Sequence, residues 1–282
     1  MQSASPSNAQ QIEYWNGAVG QRWAERQERI DLLMNRITDA AIPFANPRSG
    51  ERALDIGCGA GTTTFLLAMK VAPEGTAAGV DISAPMLDVA RARAQAQNSD
   101  ITFVEADASV HDFQPVFDLV FSRFGVMFFA DPVSAFANVR MALASRGRLA
   151  FVCWRSLKEN IWASVPISAA RDLLPPQEAV DPHAPGPFAF AEKERLRGIL
   201  EKAGYRDIAI DAFDCVMNMG ETEGDAADET LKIGPLARAT ADIDDTTRAK
   251  IRDVVARALS PYQTTTGCTP PAACWFVGAK GQ

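Results

Sequence analysis

The sequence is poor in the residue types that most often carry chemistry by themselves. Its 282 residues include only two histidines, three tyrosines and five cysteines. The cysteine count is odd and no pair has C-x-x-C spacing, a pattern that fits neither a disulfide framework nor a zinc site. We therefore predict reduced thiols in a cytoplasmic protein, and no bound metal.

An excess of positive charge and a long apolar run are also missing. The formal net charge is −7, which disfavours proteins that gain affinity by neutralising phosphates, so we expect no nucleic-acid partner. No stretch reaches the length of a membrane-spanning helix. The opening "MQSASPSNAQQ" lacks the basic and apolar regions of a secretory signal, and we expect it to be a disordered tail. Composition leaves open whether the chain forms a homo-oligomer.

What the sequence does contain is an alternation of short apolar runs with helical segments. Five strands are predicted, namely "RALDIG", "TAAGVDIS", "ITFVEAD", "VFDLVFSR" and "RLAFVCW". Helices separate most of them, which is typical of βαβ units on a parallel sheet. We predict a doubly wound, Rossmann-like α/β fold.

The remaining segments are less regular. Residues 11–44 show helical spacing of apolar residues and predict a helix. Residues 155–187 are rich in proline and predict a loop or lid. The acidic residues 221–229 have no neighbouring base and are expected to be exposed. One or two helices are predicted over residues 229–259.

Three glycines stand where the first strand should pass into a helix, in "LDIGCGAG". Glycine tolerates positive φ and lets a ligand approach backbone N–H groups. A single glycine would indicate only a tight turn, whereas Gly57, Gly59 and Gly61 at alternate positions indicate a ligand-binding turn. The dinucleotide fingerprint G-x-G-x-x-G would need a glycine at position 62, which is Thr62.

This stretch, with Asp55 before it, resembles motif I of the class I S-adenosylmethionine-dependent methyltransferases. "GVDIS", "EADAS" and "FDLVFSRFGVMFF" are similar to the family's second-, third- and fourth-strand motifs, in the same order. The resemblance covers roughly residues 45–155. It is strongest to the branch that contains the ubiquinone/menaquinone-biosynthesis C-methyltransferases and many small-molecule methyltransferases. It implies a seven-stranded, mostly parallel sheet whose last strand, "AACWFVGAK", is antiparallel.

The resemblance also implies a site for S-adenosylmethionine. Asp81 would hold the ribose hydroxyls, since one carboxylate can accept from both, and Asp107 would lie near the adenine amino group. From the residues alone, Asp81 also fits a helix-start acid or the ribose of a nicotinamide cofactor, and Asp107 a turn residue. The full set of implied cofactor contacts is Tyr14, Trp15, Trp23, Asp55, Gly57, Gly59, Gly61, Thr62, Asp81, Ile82, Met86, Asp107, Ala108, Ser122 and Arg123.

The family's organisation implies an N-terminal cover over the cofactor. We expect residues 1–44 to be a tail and covering helix, and residues 45–282 to be the methyltransferase domain. Lid or cap insertions are expected at about 155–190 and 217–265. The N-terminal aromatic residues are candidate cofactor contacts, with ordinary core packing as the alternative.

Methyl transfer from a sulfonium needs alignment and exclusion of water more than a set of catalytic groups. If the acceptor is a hydroxyl, phenol or enol, a general base would help. His183, in the proline-rich segment, is the predicted catalytic base, and a structural role is the alternative. Arg123 could hold an acidic acceptor or pair with an acid such as Asp131.

The apolar run "FGVMFF", residues 124–129, predicts a small apolar or aromatic acceptor, unless it is simple core. The D/N/S-P-P-Y/F tetrad of the amino-methyltransferases is absent after the fourth strand, which argues against nucleic-acid adenine or protein glutamine as acceptor. We predict methyl transfer to an O, N or C atom of a small molecule. The alternatives are an NAD(P)-dependent oxidoreductase, disfavoured by Thr62 and the lack of a Tyr-x-x-x-Lys pair, and a non-catalytic S-adenosylmethionine-binding protein.

Overall fold

A central sheet with helices on both faces forms the body of the computed structural model, which describes residues 6–114, 116–176 and 181–281. The strands are β1 (Arg52–Ile56), β2 (Thr76–Asp81), β3 (Thr102–Glu105), β4 (Phe117–Arg123), β5 (Leu143–Trp154), β6 (Arg206–Val216), β7 (Gln263–Thr264), β8 (Gly267–Cys268) and β9 (Pro271–Lys280). The helices are α1 (Pro6–Asn16), α2 (Ala18–Glu25), α3 (Gln27–Ala45), α4 (Thr62–Val71), α5 (Ala84–Ala96), α6 (Pro132–Met141), α7 (Ile161–Ala170), α8 (Lys193–Lys202), α9 (Glu223–Thr230), α10 (Gly234–Ala239) and α11 (Asp245–Leu259).

Seven strands form the sheet, in the order β3–β2–β1–β4–β5–β9–β6. The first five in this order are parallel, and β9 is antiparallel to both β5 and β6. The predicted mostly parallel sheet with an antiparallel last strand is therefore confirmed. The strand order reverses between β1 and β4, and open α/β sheets bind ligands in the crevice beyond the carboxyl ends of such strands.

The core lies on both faces of this sheet. On one face α3 contacts β4, β5 and β9, and its residues Leu33, Ile37 and Ala41, spaced by four, are buried. On the other, Phe136 of α6 packs against Phe151 of β5 with ring centroids 5.4 Å apart. Burial on both faces explains why β4 and β5 read as nearly continuous apolar runs.

The N-terminal segment differs from its prediction. Residues 11–44 form parts of three helices, and the expected disordered tail is wrong from Pro6 onward, because α1 begins there; residues 1–5 lie outside the described residues. A Cβ on Gly20 would lie 1.7 Å from the carbonyl oxygen of Trp15, so glycine allows α2 to fold back against α1. The side chain of Asn16 anchors the turn, donating to Ile82 O at 2.8 Å and accepting from Ala84 N at 2.9 Å.

The expectation that residues 155–187 lack regular structure is wrong for part of this segment. Residues 161–170 form α7, with Pro166 inside the helix, while residues 177–180 are outside the described residues. Helix α7 packs against α9, α10 and α11, so two segments distant in sequence form one cluster. We call α7 and α9–α11 the helical cap.

The acidic stretch 221–229 is also more structured than expected. Thr222 and Asp225 form a capping box at the start of α9. Glu229, expected to be exposed, is buried and forms ion pairs with Arg26 and Arg29. Its partners lie about two hundred residues earlier, beyond the reach of a local charge pattern.

The described residues contain neither a candidate membrane-spanning helix nor a candidate metal-binding cluster. None of the described helices is long and apolar enough to cross a membrane. Nor do three or more histidine, cysteine, aspartate or glutamate side chains gather in the described part of the chain in a way that could hold a metal ion.

Candidate functional site

A cavity opens beyond the carboxyl ends of β1, β2 and β4, at the point where the strand order reverses. Its empty volume, including the open mouth, is about 1250 Å³. The turns after β1, β2 and β3 form one side, which we call the polar wall. The segment after β4, the end of β5 and α7 form the other side, which we call the aromatic wall. Helices α1–α3 cover both walls.

The structure brings most of the predicted cofactor residues together in this cavity. Those that line it are Trp15, Trp23, Gly57, Asp81, Ile82, Met86, Asp107, Ala108 and Arg123. The lining does not include Tyr14, Asp55, Gly59, Gly61, Thr62, Ser122 or the predicted base His183. Residues that sequence reasoning missed also line it, among them Asn8, Gln11, Met34 and Ile233.

The glycine turn holds the backbone in conformations that favour glycine. Gly57, Gly59 and Gly61 have φ values of 65°, 54° and 84°. A Cβ on Gly57 would lie 2.6 Å from the Cα of Gly125, so the turns after β1 and β4 meet backbone to backbone. Any side chain here would force these two turns apart.

The amides of this turn are bonded to the protein. Gly57 N and Cys58 N donate to Val80 O at 2.8 and 3.2 Å. Gly59 N donates to Asp81 Oδ2 at 2.7 Å, and Gly61 N donates to Cys58 O at 3.0 Å. The turn therefore shapes the cavity without offering these four N–H groups to a phosphate.

Asp81, at the end of β2, presents an oriented carboxylate to the cavity. Each oxygen accepts one backbone N–H, Oδ1 from Ser83 at 2.9 Å and Oδ2 from Gly59. Burial raises the pKa of Asp81, although these N–H groups favour the charged form. Because each carboxylate oxygen has two lone pairs, both can still accept from a pair of neighbouring hydroxyls.

Asp107 closes the polar wall near α1. Its Oδ1 accepts from Ser109 N at 2.9 Å and Ser109 Oγ at 2.7 Å, and its Oδ2 accepts from Asn8 Nδ2. Asn8 also donates to Ser109 Oγ at 2.7 Å. Asn8 was missed because it lies in the segment expected to be a tail, about a hundred residues before its partners.

Asp55 is buried behind the glycine turn and does not face the cavity. Its Oδ2 accepts from the hydroxyls of Thr63 and Thr64, both at 2.7 Å. Its Oδ1 has no partner among the residues that the structure describes. Burial raises the pKa of Asp55 to about 6. These contacts join the end of β1 to the first turn of α4.

Three other predicted contacts also bond to the protein outside the cavity lining. Thr62 Oγ1 donates to Asp31 Oδ2 at 2.6 Å. Ser122 Oγ accepts from Gly125 N at 3.2 Å. Tyr14 lies under the guanidinium group of Arg238, 5.9 Å from the ring centroid.

Aromatic rings surround the opposite end of the cavity. Trp15 meets Trp23 and Phe128 edge to face, with centroids 5.7 and 5.1 Å away. Phe124 stacks on Trp154 at 4.2 Å with an interplanar angle of 12°. Phe124 has φ 68°, an uncommon value for a bulky residue, and such outliers concentrate at functional sites.

Arg123 brings a positive charge to the cavity. Its Nη1 donates to Thr38 Oγ1 at 2.5 Å, and its Nη2 lies 3.8 Å from Asp31 Oδ1. Burial lowers the pKa of Arg123, while Asp31 and Asp55 favour its charged form. The pairing suggested with Asp131 is absent from the described contacts, because Asp131 instead caps α6 by accepting from Ser134 N at 3.1 Å.

His183 lies outside the cavity lining. Its side chain is 42% exposed, and its Nε2 is 3.4 Å from Glu192 Oε1. The same segment reaches the cavity through Pro187, and Gly186 N anchors it by donating to Met127 O at 3.1 Å. This placement gives no support to a catalytic role for His183, which stays a prediction.

A family model described as "Methyltransferase domain" matches residues 47–204. Among curated relatives, aklanonic acid methyltransferase DauC of Streptomyces sp. (strain C5) is 38% identical over 112 residues, covering 39% of this chain and 51% of the relative. Demethylmenaquinone methyltransferase of Thermus thermophilus is 36% identical over 45% of this chain and 61% of the relative. The Deinococcus radiodurans enzyme of the same name is 30% identical over 67% of this chain and 85% of the relative. The chain thus spans about half to three fifths of the length of the first two.

Solved structures share the fold at low sequence identity. The YcgJ protein of Bacillus subtilis has a TM-score of 0.58 at 16% identity, covering 87% of this chain and 98% of that one. Phosphoethanolamine N-methyltransferase 2 of Haemonchus contortus, solved with S-adenosyl-L-methionine, has a TM-score of 0.59 at 18% identity, covering 100% of this chain and 61% of that one. At such identities the likeness shows the architecture alone.

Proposed function

Because the chain belongs to the class I S-adenosylmethionine-dependent methyltransferases, we propose that it transfers a methyl group from S-adenosylmethionine to a small apolar or aromatic molecule. When bound, this cofactor supplies a methyl group already activated by a positively charged sulfur. The work left to the protein is to orient both partners and to keep water out.

The arrangement of the glycine turn and Asp81 carries this proposal. The four turn amides described above are bonded within the protein, so they do not form the N–H cradle on which a pyrophosphate would rest. The Asp81 carboxylate, by contrast, faces the cavity with spare lone pairs for a ribose diol. A nucleoside without phosphates fits these residues better than a dinucleotide, which disfavours the oxidoreductase alternative.

The different chemistry of the two walls suits two different ligands. We assign the nucleoside to the polar wall, between Asp81 and Asp107, and the acceptor to the aromatic wall. The curated relatives are named for aklanonic acid and demethylmenaquinone; for this chain we propose only the class of small apolar or aromatic acceptors.

The surrounding elements take roles under the same proposal. Helices α1–α3 cover the nucleoside, and the helical cap determines which acceptor enters. All five cysteines are free thiols in the structure, which supports a reducing compartment such as the cytoplasm. The acidic net charge supports a small-molecule partner rather than nucleic acid.

Calorimetric titration of the purified protein with S-adenosylmethionine, S-adenosylhomocysteine and NADH tests the cofactor. We expect the first two to bind and NADH not to bind. Asp81→Ala should weaken binding of S-adenosylhomocysteine by about 1.5–3 kcal/mol, because charge-assisted hydrogen bonds to the ribose are lost.

Asp88→Ala is the matched control, since Asp88 lies nearby on α5 with a 75% exposed side chain and should leave affinity unchanged. Binding of NADH alone would overturn the proposal. Cofactor binding without transfer of labelled methyl to any acceptor in a chemically diverse panel would favour the non-catalytic alternative.

A further inference from the structure

Among the residues that the structure describes, the aromatic wall offers no group that could take a proton from an acceptor. In the described part of the chain, the ionisable side chains that line the cavity are Asp81, Asp107 and Arg123. Both carboxylates belong to the polar wall and already accept hydrogen bonds from their own turns. A neutral hydroxyl bound at the aromatic wall would have to lose its proton without a general base in reach.

The aromatic wall does offer a free hydrogen-bond donor. Trp154 lines the cavity and is 4% exposed as a whole residue, and among the described hydrogen bonds none is donated by its indole Nε1. The neighbouring Trp162 donates its Nε1 to Asn160 Oδ1 at 3.1 Å, and Trp275 donates to Ala191 O at 2.9 Å. The indole N–H of a largely buried tryptophan usually finds a hydrogen-bond partner, so the Nε1–H of Trp154 is available to donate to an acceptor atom of a ligand in the cavity.

Arg123 adds the one positive charge found in the described lining. Its guanidinium group has five N–H donors. The structure describes one bond to Thr38 and a loose 3.8 Å contact with Asp31. Donors therefore remain for a ligand, and a planar guanidinium group suits an anionic oxygen pair.

We propose that the acceptor binds as an anion, a carboxylate, enolate or phenolate on an aromatic frame, held by the guanidinium group of Arg123 and the Nε1–H of Trp154. This inference rests on the proposed methyltransferase function and narrows its substrate class. The stack of Phe124 on Trp154 would form the floor on which the acceptor ring lies.

Such an acceptor explains why no base is needed. The ionised acceptor atom forms a bond to the methyl carbon while the carbon–sulfur bond breaks and leaves its electron pair on sulfur. The negative and positive charges cancel, no proton moves, and the products are a neutral methylated molecule and S-adenosylhomocysteine. Cancelling charge is favourable in a cavity that excludes water, because isolated charges are costly there.

Two probes of equal shape and different charge test this inference. The probes are 2-naphthoate and 2-naphthamide, titrated by calorimetry at pH 7.5 into protein saturated with S-adenosylhomocysteine. We expect 2-naphthoate to bind at least tenfold more tightly than the amide. Equal affinity, tighter binding of the amide, or no binding of either probe overturns the inference.

Substitutions at Arg123 and Trp154 test what each donor contributes to binding of the anionic probe. Arg123→Gln should abolish the preference for the anion, and Arg123→Lys should retain part of it because the charge remains. Trp154→Phe keeps the stacked ring and should weaken 2-naphthoate binding three- to tenfold. The control Trp275→Phe removes an indole N–H outside the cavity lining and should change nothing.

The titration with S-adenosylhomocysteine distinguishes failure of the proposed methyltransferase function from failure of the anion inference. If wild-type protein does not bind S-adenosylhomocysteine, the proposed function itself fails. If it binds and the probes show no charge preference, only the anion inference fails. If Arg123→Gln is folded by circular dichroism but loses S-adenosylhomocysteine binding, Arg123 serves the cofactor and the inference is overturned. If that variant does not fold, unchanged binding of 2-naphthoate by Trp154→Phe overturns it.

Discussion

Two carboxylates near the glycine turn illustrate how position decides the role of a residue. Asp55 is the penultimate residue of β1 and is buried, and both of its described hydrogen bonds come from threonines of α4. Asp81 ends the neighbouring strand β2 and lines the cavity. The family resemblance predicts both as cofactor contacts, and of the two only Asp81 lines the cavity.

Asp55 should make stability depend on pH. Its pKa is raised from 3.8 to about 6 by burial, so between these values the folded state binds the proton more tightly than the unfolded state. The contribution of Asp55 to the free energy of unfolding is therefore fully present below about pH 4 and is lost as pH rises through 6, a change on the order of 3 kcal/mol.

Asp55→Asn should remove this dependence, because an amide oxygen can accept from both threonines without charge. Urea unfolding of wild type and variant between pH 4 and 7 measures the difference. Parallel curves for the two proteins would contradict the assignment.

At the scale of elements, the turn between β1 and α4 is constrained because its backbone at Gly57 packs directly against the backbone of Gly125. Gly57→Ala should destabilise the protein by about 2 kcal/mol or more, since positive φ and the approach to Gly125 both oppose a Cβ. Gly198→Ala is a matched control inside α8, where an added Cβ meets nothing within 4 Å.

That control should stabilise the protein by about 0.5–1 kcal/mol through helix propensity. Thermal and urea unfolding report both effects. A neutral Gly57→Ala variant would show that the two turns can separate at little cost.

The elements that could be predicted are those whose signals are local. Strands β1–β5 contain short apolar runs, and the three glycines predict the turn that connects β1 to α4. Helix α7 was missed because proline residues dominate its surroundings and one, Pro166, lies inside it. The break between α1 and α2 depends on Gly20 meeting Trp15, a contact that apolar periodicity does not reveal.

In the candidate site, too, the sequence predicts only the residues that local motifs mark. The motifs located the polar wall at Asp81 and Asp107 because the carboxyl ends of parallel strands meet at one edge. Asn8 and Ile233 were missed because folding brings them there from the two ends of the chain. Family motifs record residues close to the sheet and say little about the elements that cover it.

At the scale of the whole molecule, the cavity is covered by parts of the chain that are far apart in sequence. Arg26 and Arg29, at the boundary of α2 and α3, both bind Glu229 at the end of α9. Arg29 also donates to Met219 O at 2.7 Å. The N-terminal helices and the helical cap are thereby joined above the site.

Glu229→Gln should destabilise the protein by about 1–3 kcal/mol, because it leaves two cations beside a side chain that is only 6% exposed. Asp228→Asn is the adjacent control on the same helix. Its pair with Arg252 is half exposed and should contribute less than about 1 kcal/mol. Equal losses in urea unfolding would show that the join between N-terminal helices and cap adds no more than an exposed ion pair.

The position of β9 has a consequence for the order in which the protein can be completed. Strand β6 pairs with β9 alone in the described sheet, and β9 follows the whole second half of the helical cap in the chain. A growing chain therefore carries an unpaired β6 and an open edge on β5 until residues 271–280 leave the ribosome. Unpaired edges invite association with other chains, so the newly made protein is exposed to aggregation until β9 has joined the sheet.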